Sequence, residues 1–153
     1  MDAPAALGPP PASRMALAVF ALLGVLVAGY MLAYTVGLIP AIACGEGGGC
    51  TRVQSSPWAV FMGVPVPGWG VLGYGLTLVV ALAGLQPAFA GDRRLAIVLL
   101  AAGAGGFAFS AYLTWLEAFV IGSWCRWCIG SAVIATLMFG ASLFEIPRIR
   151  RVS

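Results

Sequence analysis

Four apolar runs, each long enough to cross a bilayer, constrain this chain more than any other feature. Met15 to Leu38 is apolar over 24 residues, interrupted only by small residues, Tyr and Thr. About 20 such residues span the hydrocarbon core as a helix. Comparable runs cover about 70–90, 95–121 and 126–146. No water is available inside a bilayer, so every backbone N–H and C=O must bond within its own segment, and the runs must be helices. Composition agrees. The chain is 61% hydrophobic and 8% charged, against about 25% charged in soluble domains, and its mean hydropathy is +1.02. The predicted fold is an all-α membrane protein, a four-transmembrane-helix bundle formed by residues 15–147. Residues 1–14, rich in Pro and Ala, read as a disordered cytoplasmic tail, and 148–153 as a basic cytoplasmic tail.

Between the first two spans lies a long loop, 39–69, of the length that often carries function. Within it, Ser55-Ser56-Pro57 followed by Trp58 to Met62 has the pattern of an N-cap, a first-turn Pro and one or two apolar turns. This predicts a short helix at the membrane interface. Four spans put both termini on one side, and the arginines choose which. Arg14, Arg93, Arg94, Arg148, Arg150 and Arg151 fall at one end, and Arg52 and Arg126 at the other. By the positive-inside rule the termini are cytoplasmic, and the 39–69 loop and the 122–128 turn are periplasmic at the inner (plasma) membrane. Arginines at span ends report topology, so nucleic acid is not an expected partner, whereas membrane lipid is. The first run is too long for a signal-peptide core. Ala41 to Cys44 resembles a lipoprotein processing site only faintly.

That topology brings four cysteines to one face. Cys44 and Cys50 flank a segment with three consecutive glycines, flexible enough to close a disulfide or to reach elsewhere. Cys125 and Cys128 form a C-x-x-C at the start of the fourth helix. There the helix dipole, with Arg126 alongside, favours a thiolate. Low-pKa thiols leave readily in thiol–disulfide exchange, and the periplasmic face is an oxidising compartment. Four cysteines allow three pairings. The alternatives are two local disulfides that staple loops, or a four-thiolate zinc site. The chain contains no His.

Glu117 lies inside the third span. An acid there is costly and marks a candidate site, and Thr114, one turn earlier, is placed to hydrogen-bond it. Trp58, Trp69, Trp124 and Trp127 fall near the outer boundary, as interface anchors or as the wall of an aromatic pocket. Gly103, Gly105, Gly106 and Ser110 read as helix-packing positions.

Two segments carry a family resemblance: C-T-R-V-Q-S-S-P-W from Cys50 to Trp58, with Gly73 beyond it, and Y-L-T-W-L-E-A-F-V-I-G-S-W-C-R-W-C from Tyr112 to Cys128. Over roughly residues 15–147 the chain resembles vitamin K epoxide reductase and its bacterial homologues. The resemblance implies a thiol–disulfide oxidoreductase in which Cys128 faces a quinone (ubiquinone or menaquinone) and Cys125 is its partner. Cys44 and Cys50 become the shuttle pair, with Cys50 joining Cys125 transiently and Cys44 meeting an outside protein. Ser56 matches the family's loop serine. Together with Trp58, Trp69, Tyr112 and Glu117 it forms the expected quinone site, with no metal. The chain ends at Ser153, with no room for a fused thioredoxin-like domain of about 100 residues. The implied electron donor is therefore a separate periplasmic protein resembling disulfide bond formation protein A. Trp69 and Ala132 stand where vertebrate members carry the Asn and Tyr that hold the quinone carbonyls. That difference favours plain quinone reduction over the alternative of epoxide reduction. The remaining alternative is a non-enzymatic, disulfide-stapled membrane protein.

Overall fold

The computed structural model describes residues 11–44 and 47–151. Its framework is four helical spans: α1 (Ala12–Thr35); α3 (Val66–Ala83); α4 (Arg93–Leu116), prolonged by a π-helical turn (Glu117–Ile121); and α5 (Arg126–Ser142), which runs through a tight turn into α6 (Ile146–Arg151). All four are long and apolar enough to cross a membrane. Leu26, Leu72, Val79, Val133 and Leu137 point outward and are about half exposed or more. An apolar surface of that extent belongs against lipid. This is a multi-pass membrane protein with a helical-bundle fold.

In lipid, helices associate by close packing rather than by escape from water, which favours small residues at their contacts. The core follows that rule: Ala18, Ala21 and Ala28 of α1 meet Tyr74 and Ala81 of α3, Leu99 of α4 and Met138 of α5. Gly24 lies flush against the Tyr74 ring, where any Cβ would collide with it. The Tyr74 hydroxyl then reaches across the bundle to the Ser131 carbonyl oxygen at 2.8 Å.

Several boundaries depart from expectation. The second span begins at Val66 rather than Gly70, because Pro65 and Pro67 sit at positions where a helix start tolerates proline. It ends at Ala83, ahead of Gly84 and a 3-10 turn at Pro87–Phe89. The loop's short helix lies upstream of its expected place. It is α2 (Gly49–Gln54). Pro57–Ala59 makes a single 3-10 turn, because the Ser56 hydroxyl donates to the Val53 carbonyl at 2.7 Å instead of capping the next turn. A two-residue hairpin follows, β1 (Val60–Phe61) against β2 (Val64–Pro65).

At the end of the bundle away from the cysteines, the expected disordered tail 1–14 is in part a helix. Residues 1–10 lie outside the described residues, but Arg14 is fully buried within α1. Its guanidinium donates to Glu145 Oε2 at 3.0 and 3.2 Å and to the carbonyls of Gly84 (2.9 Å) and Phe89 (3.2 Å). Ser13 donates to the other Glu145 oxygen at 3.1 Å. One cation thereby ties together the ends of three spans. Removing its counter-ion leaves a buried charge unpaired, at a cost of about 3–5 kcal/mol. Glu145→Ala is therefore expected to lower the unfolding free energy in SDS titrations by about that much. The double replacement Arg14→Met/Glu145→Leu should be less damaging than either single one.

Candidate functional site

The opposite end gathers all four cysteines. Cys44 and Cys50 form a disulfide, with Cα atoms 5.8 Å apart, and Cys125 and Cys128 are free thiols. The glycine run between the first two has defined tasks. Gly48 takes the left-handed conformation that opens α2 (φ 64°), one that glycine adopts without a Cβ penalty. Gly49 lies flush on the Trp124 carbonyl, with no room for a Cβ. Backbone therefore meets backbone, and α2 docks directly on the turn that carries the C-x-x-C. Arg52 reinforces the docking by donating to Ser123 at 3.3 Å. Cys50 and Cys125, both fully buried, fall into one cluster with Met31 and Val53, and Cys44 and Cys128 pack against it.

Cys44 is held by a clamp that the sequence alone did not reveal. The Ala43 N–H donates to the Tyr30 hydroxyl at 2.9 Å, and the Ala43 carbonyl accepts from the Trp127 indole at 2.6 Å. The two rings touch each other, with centroids 4.9 Å apart. Trp127 thus holds the loop beside Cys44.

Cys125 is the N-cap of α5, and its sulfur accepts the Cys128 N–H at 3.4 Å. A hydrogen bond from the Cys128 thiol pulls the Cys125 thiol below the ordinary value, and backbone N–H groups at the helix start assist. Burial and the nearby Glu117 charge oppose them. Glu117 belongs to the site: Cys125 N–H donates to its Oε2 at 3.0 Å, and its carboxyl also meets the Cys128 side chain. The π turn that starts at Glu117 closes at Gly122, and such turns recur at functional sites. Thr114 does not pair with Glu117; its hydroxyl turns back to the Ser110 carbonyl at 2.8 Å.

Below Cys128 lies a cavity of about 420 Å³, lined mainly by apolar atoms of the four spans, with Gln54 and Phe61 contributed by the loop. It follows α5 from Cys128 to Met138, a depth of about 15 Å at helical rise. Gly105 and Gly106 line it with nothing packed against them, so only Gly103, which abuts Ser142, is the expected packing glycine. Trp69 and Glu117 are on the wall, and Ser56 and Trp58 line a smaller pocket that also touches Cys128. The Trp69 indole is occupied by the Phe61 carbonyl at 2.9 Å. Tyr112 lines neither pocket; it is 41% exposed on α4, because the helical repeat turns it away from the face of Leu113 and Glu117. Trp58 and Trp124 are about half exposed, as boundary residues would be. Gln54, to which the sequence pointed no role, touches a free cysteine: its Nε2 lies 3.7 Å from Cys128 Sγ. Among the described residues no group of three or more His, Cys, Asp or Glu side chains is placed to hold a metal ion.

The electrostatics can be checked directly. Followed by thiolate absorbance in protein whose Cys44–Cys50 bond is intact, Cys125 should ionise at a lower pH than an ordinary thiol. Cys128→Ala removes the main hydrogen-bond donor and should move that ionisation to higher pH. Equal midpoints in the two proteins would contradict the assignment.

The family model described as the vitamin K epoxide reductase family matches residues 15–143, most of the chain. That stretch contains the bundle, the disulfide loop, the C-x-x-C and the cavity beneath it, and the chain belongs to the vitamin K epoxide reductase family of membrane oxidoreductases.

Proposed function

We propose that this protein is a quinone-dependent oxidase of protein dithiols. It reoxidises a separate periplasmic thioredoxin-like protein and so drives disulfide formation in exported proteins. The observation that carries this reading is the different surroundings of the four sulfurs. Cys44 is partly accessible, Cys50 and Cys125 are sealed together, and Cys128 stands on the wall of the apolar cavity.

Each sulfur's surroundings suit one step. A thiolate of the outside protein attacks the accessible Cys44, breaks the Cys44–Cys50 bond and leaves with its own disulfide, so that both loop cysteines are reduced. Cys50 then attacks Cys125 of an oxidised C-x-x-C, displacing Cys128 as a thiol. Cys44 attacks Cys50 in turn, restoring the loop disulfide and expelling Cys125. That sequence would leave one disulfide and two free thiols, the arrangement described above. The depressed Cys125 pKa makes it a good leaving group in the last exchange. Reoxidation of Cys125 and Cys128 to a disulfide yields two electrons and two protons.

A quinone supplies the two-electron acceptor for that oxidation. The cavity suits it: its volume lies in the range of small-molecule sites, its walls are mainly apolar, and two of its polar groups, Gln54 and Glu117, meet the Cys128 side chain. Glu117, hydrogen-bonded at the C-x-x-C, is placed to accept a proton from the thiols. The excess of arginines at the opposite end supports a cytoplasmic placement of that end, with the cysteines on the extracytoplasmic side of the plasma membrane. The reduced, cavity-facing Cys128 favours this reading over permanent loop staples. Epoxide reduction finds less support, since Ala132 offers no polar group and the Trp69 indole is already engaged.

The test combines purified protein, a reduced thioredoxin-like partner and ubiquinone or menaquinone analogues, with quinone absorbance as the readout. Wild-type protein should consume quinone and Cys128→Ala should not. In a Cys44→Ala/Cys128→Ala variant, mass spectrometry should find Cys50 joined to Cys125. Quinone consumption that survives Cys128→Ala would reject the mechanism.

A further inference from the structure

Gln54 carries a feature that the exchange chemistry leaves unused. It lies four residues after Cys50 on α2, so both side chains share one face of that short helix. Cys50 shares a buried cluster with Cys125, and Gln54, one turn further, reaches Cys128, with Nε2 3.7 Å from its sulfur. The other end of the amide, Oε1, is the one buried side-chain nitrogen or oxygen without a hydrogen-bond partner among the described residues. Buried polar atoms are nearly always paired, and an orphan calls for a reason. Turning the amide over changes nothing: one end then faces the Cys128 thiol and the other remains unpaired. Two other polar groups on the wall are already engaged: the Trp69 indole is bound to Phe61, and the Tyr74 hydroxyl to Ser131.

We propose that the Gln54 carboxamide is the polar anchor of the cavity, binding a ring oxygen of the electron acceptor with one end while holding Cys128 with the other. The chemistry of an amide fits both redox forms. Its N–H donates to a quinone carbonyl, and its oxygen accepts from a quinol hydroxyl. Because the same group touches the sulfur, it also sets the spacing between ring and thiol. This supplies from the loop helix the polar contact that Ala132 cannot make. The proposal rests on the reading of the cavity as a quinone site.

The test separates hydrogen bonding from packing. Menadione and methylnaphthalene share a fused ring system, but only menadione has ring oxygens. Their dissociation constants are measured by equilibrium dialysis on wild-type protein and on Gln54→Met, which keeps the volume and removes the amide. Wild type should prefer menadione, and that preference should fall about tenfold in the variant, the effect of about one hydrogen bond. The KM for a short-chain quinone should rise more than kcat falls. A variant that loses affinity for both ligands equally, or keeps the full preference, overturns the role of Gln54. If wild type itself shows no preference for the quinone, the cavity reading fails and the proposal with it.

Discussion

The site depends on the contact between the backbone of Gly49 and the carbonyl of Trp124. A side chain at Gly49 would hold the loop helix away from the C-x-x-C turn by the width of a methyl group. With none, α2 seats against the turn, Cys50 is pressed into the same sealed cluster as Cys125, and Gln54, one helical turn on, arrives beside Cys128. A separation of that width at Gly49 would move Cys50 away from Cys125 and Gln54 away from Cys128.

Around this contact the loop is fixed on one side and open on the other. The two hydrogen bonds to Ala43, from rings that also touch each other, hold the strand leading to Cys44. The result is asymmetry within a single disulfide: one sulfur partly accessible, the other at zero exposure. The C-x-x-C repeats the pattern, with Cys125 sealed and capping a helix while Cys128 faces the cavity. The four sulfurs thus run from a partly accessible loop surface, through a buried pair, to the wall of an apolar chamber.

The bundle is tight in some places and open in others. The buried Arg14–Glu145 pair and the carbonyls around it close one end. Gly24 lets α1 and α3 approach closely over the Tyr74 ring. Between α3 and α4, by contrast, Gly105 and Gly106 meet nothing and leave volume that becomes the cavity. Small residues thus play two opposed parts in one bundle. They allow contact where a neighbour fills the space and make a chamber where none does.

Much of this was legible in the chain itself. Lipid leaves a long apolar segment no choice but to be a helix, so the four spans and the meeting of the two cysteine pairs at one end followed from hydropathy alone. The pairing of Cys44 with Cys50 could not be deduced that way, because spacing leaves three pairings open. Nor could the location of the short loop helix, since Ser56 spends its hydroxyl on Val53 instead of a cap. Glu117 was recognisable because an acid inside a membrane span is costly wherever it points. Gln54, Tyr30 and Trp127 were not, because a polar or aromatic residue near a loop is commonplace. Only the tertiary structure decided which of them touches a sulfur or a loop carbonyl. Tyr112 makes the same point in reverse: a motif can be read from sequence, but the face a side chain presents is set by the rotation of its helix against its neighbours.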